Sequence, residues 1–199
     1  MTRSPRLVGA VAAPALAAVL ALTLSSCDTA QAGAAATVGD RRISVAEVQD
    51  GYRDIVSVVG PDQQITQTQI LNLLILEPYL MRAASAEGRG VSDQDAKLDL
   101  QSTANGKPVD ISSAGLKVWK ASMANSALQS DQQSDPAKLQ AAYQQIGVQL
   151  KKDRVHVNPR YGGKLDYTTF NILPETPDWL VTKAPAASAT PVPGATPTP

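Results

Sequence analysis

Apolar residues recur every three or four positions over five stretches of the chain, and this spacing is typical of amphipathic helices. The clearest stretches begin after a residue whose side chain can accept a hydrogen bond from a free backbone N–H. These predicted caps are Ser44 with Glu47, Ser92 with Asp95, and Asp135 followed by Pro136. The predicted helix ends are Gly60-Pro61, Gly88 or Gly90, and Asn105 to Pro108. The pattern therefore predicts a mainly α fold of about five helices.

The second predicted helix is the most apolar part of the chain after residue 27. It begins between Gln63 and Thr66, and its apolar side chains from Ile70 to Met81 cover more than one stripe of the helix surface. Such a helix is either buried on several sides or has a face for a partner. Pro78 lies inside it, removes one intrahelical hydrogen bond and predicts a kink.

The fourth and fifth predicted helices carry large apolar residues at helical spacing, which we expect to face the core. The fourth extends from about Ile111 to Ser130, and the fifth begins at Asp135. These apolar residues are Leu116, Trp119, Met123 and Leu128 in the fourth helix, and Leu139, Tyr143, Ile146 and Leu150 in the fifth.

Two short segments have the alternating pattern of β-strands. Thr37-Val38 and Arg42-Ile43 flank the turn signal Gly39-Asp40, so the sequence predicts a very small hairpin there. Near the other end, Val155 and Val157 alternate with His156 in a short strand that Pro159 ends. The predicted order is strands, helices, strand.

The N-terminus has the three parts of an export signal. Arg3 and Arg6 form a short basic region, residues 7–24 are almost wholly apolar, and small serines precede Cys27, the single cysteine. The LSSC ending resembles the lipobox of bacterial lipoproteins, in which the cysteine becomes the lipidated first residue after cleavage. This resemblance implies that Cys27 carries a lipid anchor. Two or three acyl chains make such an anchor stable, whereas one gives only marginal binding.

Two other interpretations of the N-terminal apolar run remain open. The apolar run is long enough for an uncleaved transmembrane anchor, although Pro14 and the many alanines weaken a spanning helix. An ordinary secretory signal could also be cleaved nearby, with Cys27 left free. All three readings place most of the chain outside the cytoplasm, and the lipid-anchored reading places it on the outer face of the cell membrane.

Composition changes between the helical region and the C-terminus. Residues 184–199 consist only of Pro, Ala, Thr, Ser, Gly and Val, a composition that predicts disorder. The expected organisation is a signal peptide (1–26), a tether (27–35), one helical domain (36–182) and a disordered tail (183–199). One domain of about 150 residues is long enough to bury a sizeable core.

Charge argues against nucleic acid as a partner. Loss of residues 1–26 removes Arg3 and Arg6, which leaves 16 of the 18 basic residues against 18 acidic ones. The chain therefore has no basic excess to hold nucleic acid or an anionic membrane surface.

The residues do not indicate an enzyme, a cofactor or a metal site. His156 has no thiol partner, and a histidine on the outer face of a strand is usually solvated. Asp93, Asp95 and Asp99 have helical spacing, but carboxylates in the first turns of a helix usually complement its dipole. No phosphate loop, metal-ligand cluster or nucleophile elbow occurs in the sequence.

Three stretches together resemble a known family. They are ATVGDRRISVAEV, the long aliphatic helix with its ending AEGRGVSDQD, and the closing VHVNPRYG. Their order and spacing resemble the N-terminal chaperone domain of SurA-type foldases, and most of all the actinobacterial lipoproteins that carry this domain alone. The resemblance covers about residues 35–162.

The resemblance implies a helical domain whose first and last short strands pair across more than a hundred residues. Val38 and residues 155–157 would lie in this small sheet. It also implies a groove for unfolded or extended polypeptide, with the second helix as its main hydrophobic wall. The polypeptide-binding residues that we expect on this basis are Leu71, Leu74, Ile75 and Tyr79.

The chain departs from the larger foldases at its C-terminal end. Those proteins carry a parvulin-type prolyl isomerase domain, but only residues 158–182 lie between the last predicted strand and the tail. The segment from Tyr161 to Tyr167 is predicted as a turn and an extended strand. Two functions remain: a membrane-anchored chaperone-like protein that binds unfolded secreted polypeptides, or an envelope scaffold that binds one specific folded partner.

Overall fold

The computed structural model describes residues 33–130 and 135–174, which form five helices and two small antiparallel sheets. The strands are β1 (Ala34–Val38), β2 (Arg41–Ser44), β3 (Val155–Val157), β4 (Gly163–Leu165) and β5 (Ile172–Pro174). The helices are α1 (Val45–Val59), α2 (Gln67–Ala86), α3 (Asp93–Thr103), α4 (Ser113–Gln129) and α5 (Pro136–Asp153), and a 3₁₀ turn (Pro159–Tyr161) follows β3. The predicted mainly helical class is confirmed. Within the described ranges, no helix has both the length and the hydrophobicity to cross a membrane.

Side-chain caps set the helix starts. The Ser44 hydroxyl accepts a hydrogen bond from the Glu47 N–H at 3.1 Å, and Glu47 Oε2 accepts one from the Ser44 N–H at 2.9 Å. The other capping side chains belong to Thr66 with Gln69 for α2, Ser92 with Asp95 for α3, Ser112 for α4 and Asp135 for α5. The predicted caps of α1, α3 and α5 are confirmed.

Helix α2 lies at the centre of the core. It packs against α1, α4, α5 and the strands β1 and β2. Its buried residues are Ile70, Leu71, Leu74, Ile75, Leu76, Tyr79, Leu80 and Ala84. These residues lie on several sides of the helix. The sequence left open whether α2 is buried on several sides or has a face for a partner, and the structure shows the first.

Small residues, not the predicted large ones, form the buried face of α4. Leu116, Trp119 and Met123 are only half-buried, and of the predicted stripe only Leu128 belongs to the core. The buried residues are Ala114, Gly115, Val118, Ala121, Ala124 and Leu128. Small side chains let helices approach closely, so α4 can pack against α2 and α1 without large side chains between them.

The main sheet joins the two ends of the described chain. Its strand order is β2-β1-β3, with Thr37 opposite Arg42 on one side and opposite His156 on the other. The predicted pairing of β1 with β3 is therefore confirmed. The side chains of Val38 in β1 and Val157 in β3 are buried. Because β1 begins at Ala34, the predicted tether (27–35) overlaps the sheet and must end before residue 34.

Arg41 compensates for the proline inside α2. Proline has no N–H, so the carbonyl of Leu74, four residues before Pro78, loses its helical donor. The Arg41 guanidinium donates to the carbonyl oxygens of Leu74 and Ile75, each at 2.9 Å. Helix α2 continues without a break through Pro78 to Ala86.

A second, two-stranded sheet follows β3. Strand β4 pairs with β5 from Gly163 opposite Pro174 to Leu165 opposite Ile172. A side chain at Gly162, which has φ of +133°, would lie 2.7 Å from Ile172 Cγ2, so the glycine permits this close approach. The predicted turn and extended strand are present, but the sequence did not indicate the partner strand.

Candidate polypeptide-binding furrow

The four residues expected to bind polypeptide lie in the core. Leu71, Leu74, Ile75 and Tyr79 are 0%, 2%, 0% and 5% exposed. The Tyr79 hydroxyl donates to Asp153 Oδ2 at 2.5 Å, and burial together with this bond raises the pKa of Tyr79 well above its usual value. A polypeptide cannot reach these side chains in this conformation, so a binding surface must use other residues. Cys27, the expected lipid site, lies outside the described residues.

Three adjoining clefts cross the surface beside α2. The first, of about 600 Å³, lies between α1, α2 and α4 and includes Trp119. The second, of about 320 Å³, shares Asn72 and Leu73 with the first. The third, of about 770 Å³, runs along α5 and shares Tyr143 and Phe170 with the second. Neighbouring clefts share lining residues, and the three clefts together are here called the furrow.

Amide and apolar side chains line the furrow. Of the described residues that line it, Lys151 is the only one with a charge. Its amide side chains are Gln63, Gln64, Gln69, Asn72, Asn125, Gln129, Gln140 and Gln144. An amide can both donate and accept hydrogen bonds, which suits it to the alternating N–H and C=O groups of a peptide backbone.

Asn72 stands where the first two clefts meet. Its Oδ1 atom is buried and has no hydrogen-bond donor among the described residues. A buried acceptor without a donor costs about 1–3 kcal/mol. Because the atom is closed to solvent, a ligand in the furrow does not reach it in this conformation.

Two aromatic rings shape the α5 end of the furrow. The ring centroids of Tyr143 and Phe170 lie 5.9 Å apart, and the Tyr143 hydroxyl donates to Asn125 Oδ1 at 2.7 Å. Burial raises the pKa of Tyr143, so its hydroxyl stays protonated as a donor at neutral pH. Phe170 has φ of +57°, a conformation that turns the loop between β4 and β5 back toward α5. The rings give this end of the furrow a fixed shape.

Trp119 forms one side of the other end. It is half-buried, and its indole Nε1 donates to Asp99 Oδ2 at 2.9 Å, which connects α4 to α3. The bond fixes the ring plane while part of the ring stays open to solvent. Trp119 is therefore an apolar contact surface held in a defined orientation.

The aspartates of α3 have separate structural roles. Lys120 lowers the pKa of Asp93 through a hydrogen bond, and the Ser92 hydroxyl does the same for Asp95 as part of the cap. Asp99 holds Trp119. His156 is exposed, and the described ranges contain no group of side chains able to hold a metal ion.

The fold and the furrow together define a mainly helical protein with an amide-lined furrow on its surface, in which Lys151 is the one charged side chain among the described residues. The chain matches no model of a known protein family, no curated protein and no solved structure.

The sequence pattern identified Trp119 and Tyr143, either as core residues or as anchors for a specific partner. The amides of the furrow were not singled out, because glutamines are ordinary on helix surfaces and the lining comes from four helices and two loops.

Proposed function

We propose that this protein binds unfolded or extended polypeptides on the outer side of a bacterial cell membrane, where a lipid on Cys27 anchors it, and that it has no prolyl isomerase activity. The observation that carries the proposal is the furrow, a row of three adjoining clefts lined by amide and apolar side chains. In this form of the proposal the binding surface is the furrow beside α2, not the buried residues of α2.

The lining of the furrow suits a ligand of variable sequence. An unfolded chain offers backbone groups that are the same at every residue and side chains that differ. Amides can pair with the backbone, and the apolar surfaces of Leu73, Tyr143 and Phe170 can accept apolar side chains of many shapes. A furrow with almost no charge does not select clients by their charge.

The sequence supports the anchor and the class of protein. The N-terminus begins with a short basic region, continues with an apolar run and ends in LSSC, and this pattern supports lipidation at Cys27. The pairing of β1 with β3 is the arrangement that the resemblance to SurA-type chaperone domains implies. Since fold alone does not establish function, the proposal depends on the furrow and on its test.

A second candidate function is an envelope scaffold that binds one specific folded partner. Trp119 favours it, because a partly exposed tryptophan of fixed orientation is typical of the residues that dominate protein interfaces. Such a partner would depend on Trp119 and would leave binding of unrelated unfolded chains weak or absent.

The test measures suppression of aggregation of an unrelated unfolded protein by residues 28–199. Val148 lines the furrow and is 67% exposed, so Val148→Asp places a carboxylate in the furrow without changing the core. We expect the concentration for half-suppression to rise about fivefold, which corresponds to about 1 kcal/mol of binding free energy.

The matched control is Leu98→Asp. Leu98 is 58% exposed on α3 and lies outside the furrow. The Leu98→Asp variant should suppress aggregation to the same extent as the wild-type chain. If the folded wild-type chain does not suppress aggregation, the proposal of general polypeptide binding is wrong. If Leu98→Asp and Val148→Asp reduce the suppression by the same amount, the furrow is not the binding surface.

A further inference from the structure

One stretch of the described chain carries cations without partners. Elsewhere Lys117 pairs with Glu47, Lys120 with Asp93, and the Arg41 guanidinium binds helix carbonyls. Lys97 and Lys107 make neither an ion pair nor a side-chain hydrogen bond, but they lie ten residues apart, whereas five such exposed cations fall between residues 151 and 164 of the described chain. These five are Lys151, Lys152, Arg154, Arg160 and Lys164, here called the basic edge.

The basic edge surrounds β3, the outer strand of the main sheet. Its members lie in the last turn of α5, at the residue before β3, in the 3₁₀ turn, and in β4, which packs beside β3. The exposed His156 lies in β3 itself, between these cations. The single acidic residue from 151 to 164 is Asp153, whose carboxylate already accepts the Tyr79 hydroxyl. The balanced charge of the whole chain therefore hides a strong local excess of positive charge.

Protection of a strand edge does not explain this cluster. Charged residues on an outer strand discourage pairing with another chain, and Arg154 could serve that role. Lys151 and Lys152 are on a helix, however, and Lys164 is on a strand that already pairs with β5. The five unpaired cations come from α5, the 3₁₀ turn, β4 and the residue between α5 and β3, so positive charge is concentrated around β3, which suits an anionic partner.

We propose that the basic edge binds anionic phospholipid headgroups and so orients the domain on the membrane. This inference rests on the proposed anchoring through the N-terminus. Gly33, the first described residue, is six residues after Cys27, a distance that an extended chain covers in at most about 20 Å. This tether keeps the sheet within reach of the headgroups, and on contact the attraction of anionic lipids for basic residues acts over a Debye length of about 8 Å.

The orientation has a consequence for the furrow. Lys151 belongs to the basic edge and also lines the α5 end of the furrow. Contact of the basic edge with headgroups places this end of the furrow beside the membrane surface. Polypeptides that emerge from the membrane would meet the furrow there.

The experiment uses the full chain, residues 1–199, reconstituted in vesicles through its apolar N-terminal segment. The full chain keeps residues 1–26, so their apolar run attaches it to the vesicle in place of a lipid on Cys27, and the test does not depend on lipidation or on polypeptide binding. The neutral vesicles contain phosphatidylcholine alone, and the anionic vesicles contain in addition about 30% phosphatidylglycerol, the anionic lipid that the basic edge is expected to bind. A membrane-impermeant acylating reagent then labels exposed lysines, and mass spectrometry measures the rate at each one.

We expect Lys151, Lys152 and Lys164 to be labelled roughly three- to fivefold more slowly on the anionic vesicles, and the protection to disappear in 0.5 M salt. Lys97 and Lys107 are the internal controls, because both are exposed and neither belongs to the basic edge. Their labelling should not change. In the double variant Lys152→Glu and Arg160→Glu, the protection of Lys151 should be largely lost.

Three outcomes overturn the proposal. Equal labelling on the two kinds of vesicle means that anionic lipid is not the partner. Equal protection of Lys97 and Lys107 means that the domain is not oriented by the basic edge. Protection by a glutamate-rich peptide on neutral vesicles, without protection by anionic lipid, assigns the basic edge to acidic polypeptides instead.

Discussion

At the scale of single residues, Arg41 has the most specific structural role. It supplies two donors to carbonyls of α2 beside Pro78, and neither its place in a strand nor its charge indicates this from the sequence. The interaction exists because a proline and an arginine that are far apart in the chain meet in the fold. Sequence patterns that extend over one element cannot reveal such a pair.

The substitution Arg41→Met should lower the free energy of unfolding by about 1–3 kcal/mol, because it leaves the Leu74 carbonyl, which has no helical donor, without any donor. In a chain that carries Pro78→Ala, the alanine N–H can again bond the Leu74 carbonyl. The same Arg41 substitution should then cost clearly less. Urea unfolding of the four chains gives the coupling energy.

Arg53→Met is the control for this double-mutant cycle. Arg53 makes an exposed ion pair with Asp50, so its loss should cost less than about 0.5 kcal/mol. Equal losses for Arg41→Met with and without Pro78 would contradict the role assigned to Arg41.

At the scale of elements, the close packing of α4 depends on Gly115. A Cβ atom at this position would lie 2.5 Å from Asp54 Oδ2 and 2.6 Å from Ile111 Cγ1. The Asp54 carboxylate also accepts hydrogen bonds from the N–H and the hydroxyl of Ser112, the α4 cap, so it cannot easily move away.

Gly115→Ala should therefore destabilise the protein by about 1–3 kcal/mol. In an unhindered helix the same change would stabilise by up to about 1 kcal/mol, so the sign of the effect is the test. Thermal and urea unfolding measure it. Ser126→Ala, at an exposed site on the same helix, should be neutral or slightly stabilising, and a stabilised Gly115→Ala chain would refute the close contact.

The sequence predicts the start of a helix well where the residues that determine it lie within a few positions of each other. The Ser44, Ser92 and Asp135 caps could be read from the sequence because capping involves residues three positions apart. The buried face of α4 could not, because alanine and glycine reach the core through close helix approach, not through their own hydrophobicity. The four apolar residues of α2 were expected in a groove because of the family resemblance, since periodicity shows that a helix is apolar but not what covers it.

At the scale of the whole molecule, the proposed anchor at Cys27 would hold the furrow at the membrane surface. In cells that export the protein, the wild-type chain should incorporate labelled fatty acid and Cys27→Ser should not, because serine has no thiol to carry the lipid. Immunoprecipitation after fatty-acid labelling, with cell fractionation, measures this. A wild-type chain that stays in the membrane without lipid would favour the uncleaved transmembrane anchor, and one released without lipid would favour an ordinary secretory signal.

The most direct test of the central claim is to observe the furrow amides while a polypeptide binds. In residues 28–199 labelled with ¹⁵N, each glutamine and asparagine side chain gives its own NH₂ signals. Titration with an unfolded apolar peptide should shift the signals of Asn72, Gln140 and Gln144 and the indole N–H of Trp119. The side chain of Gln94, exposed on α3 outside the furrow, should not shift. If the peptide binds and shifts Gln94 but none of the furrow amides, or does not bind at all, the furrow is not a polypeptide-binding site.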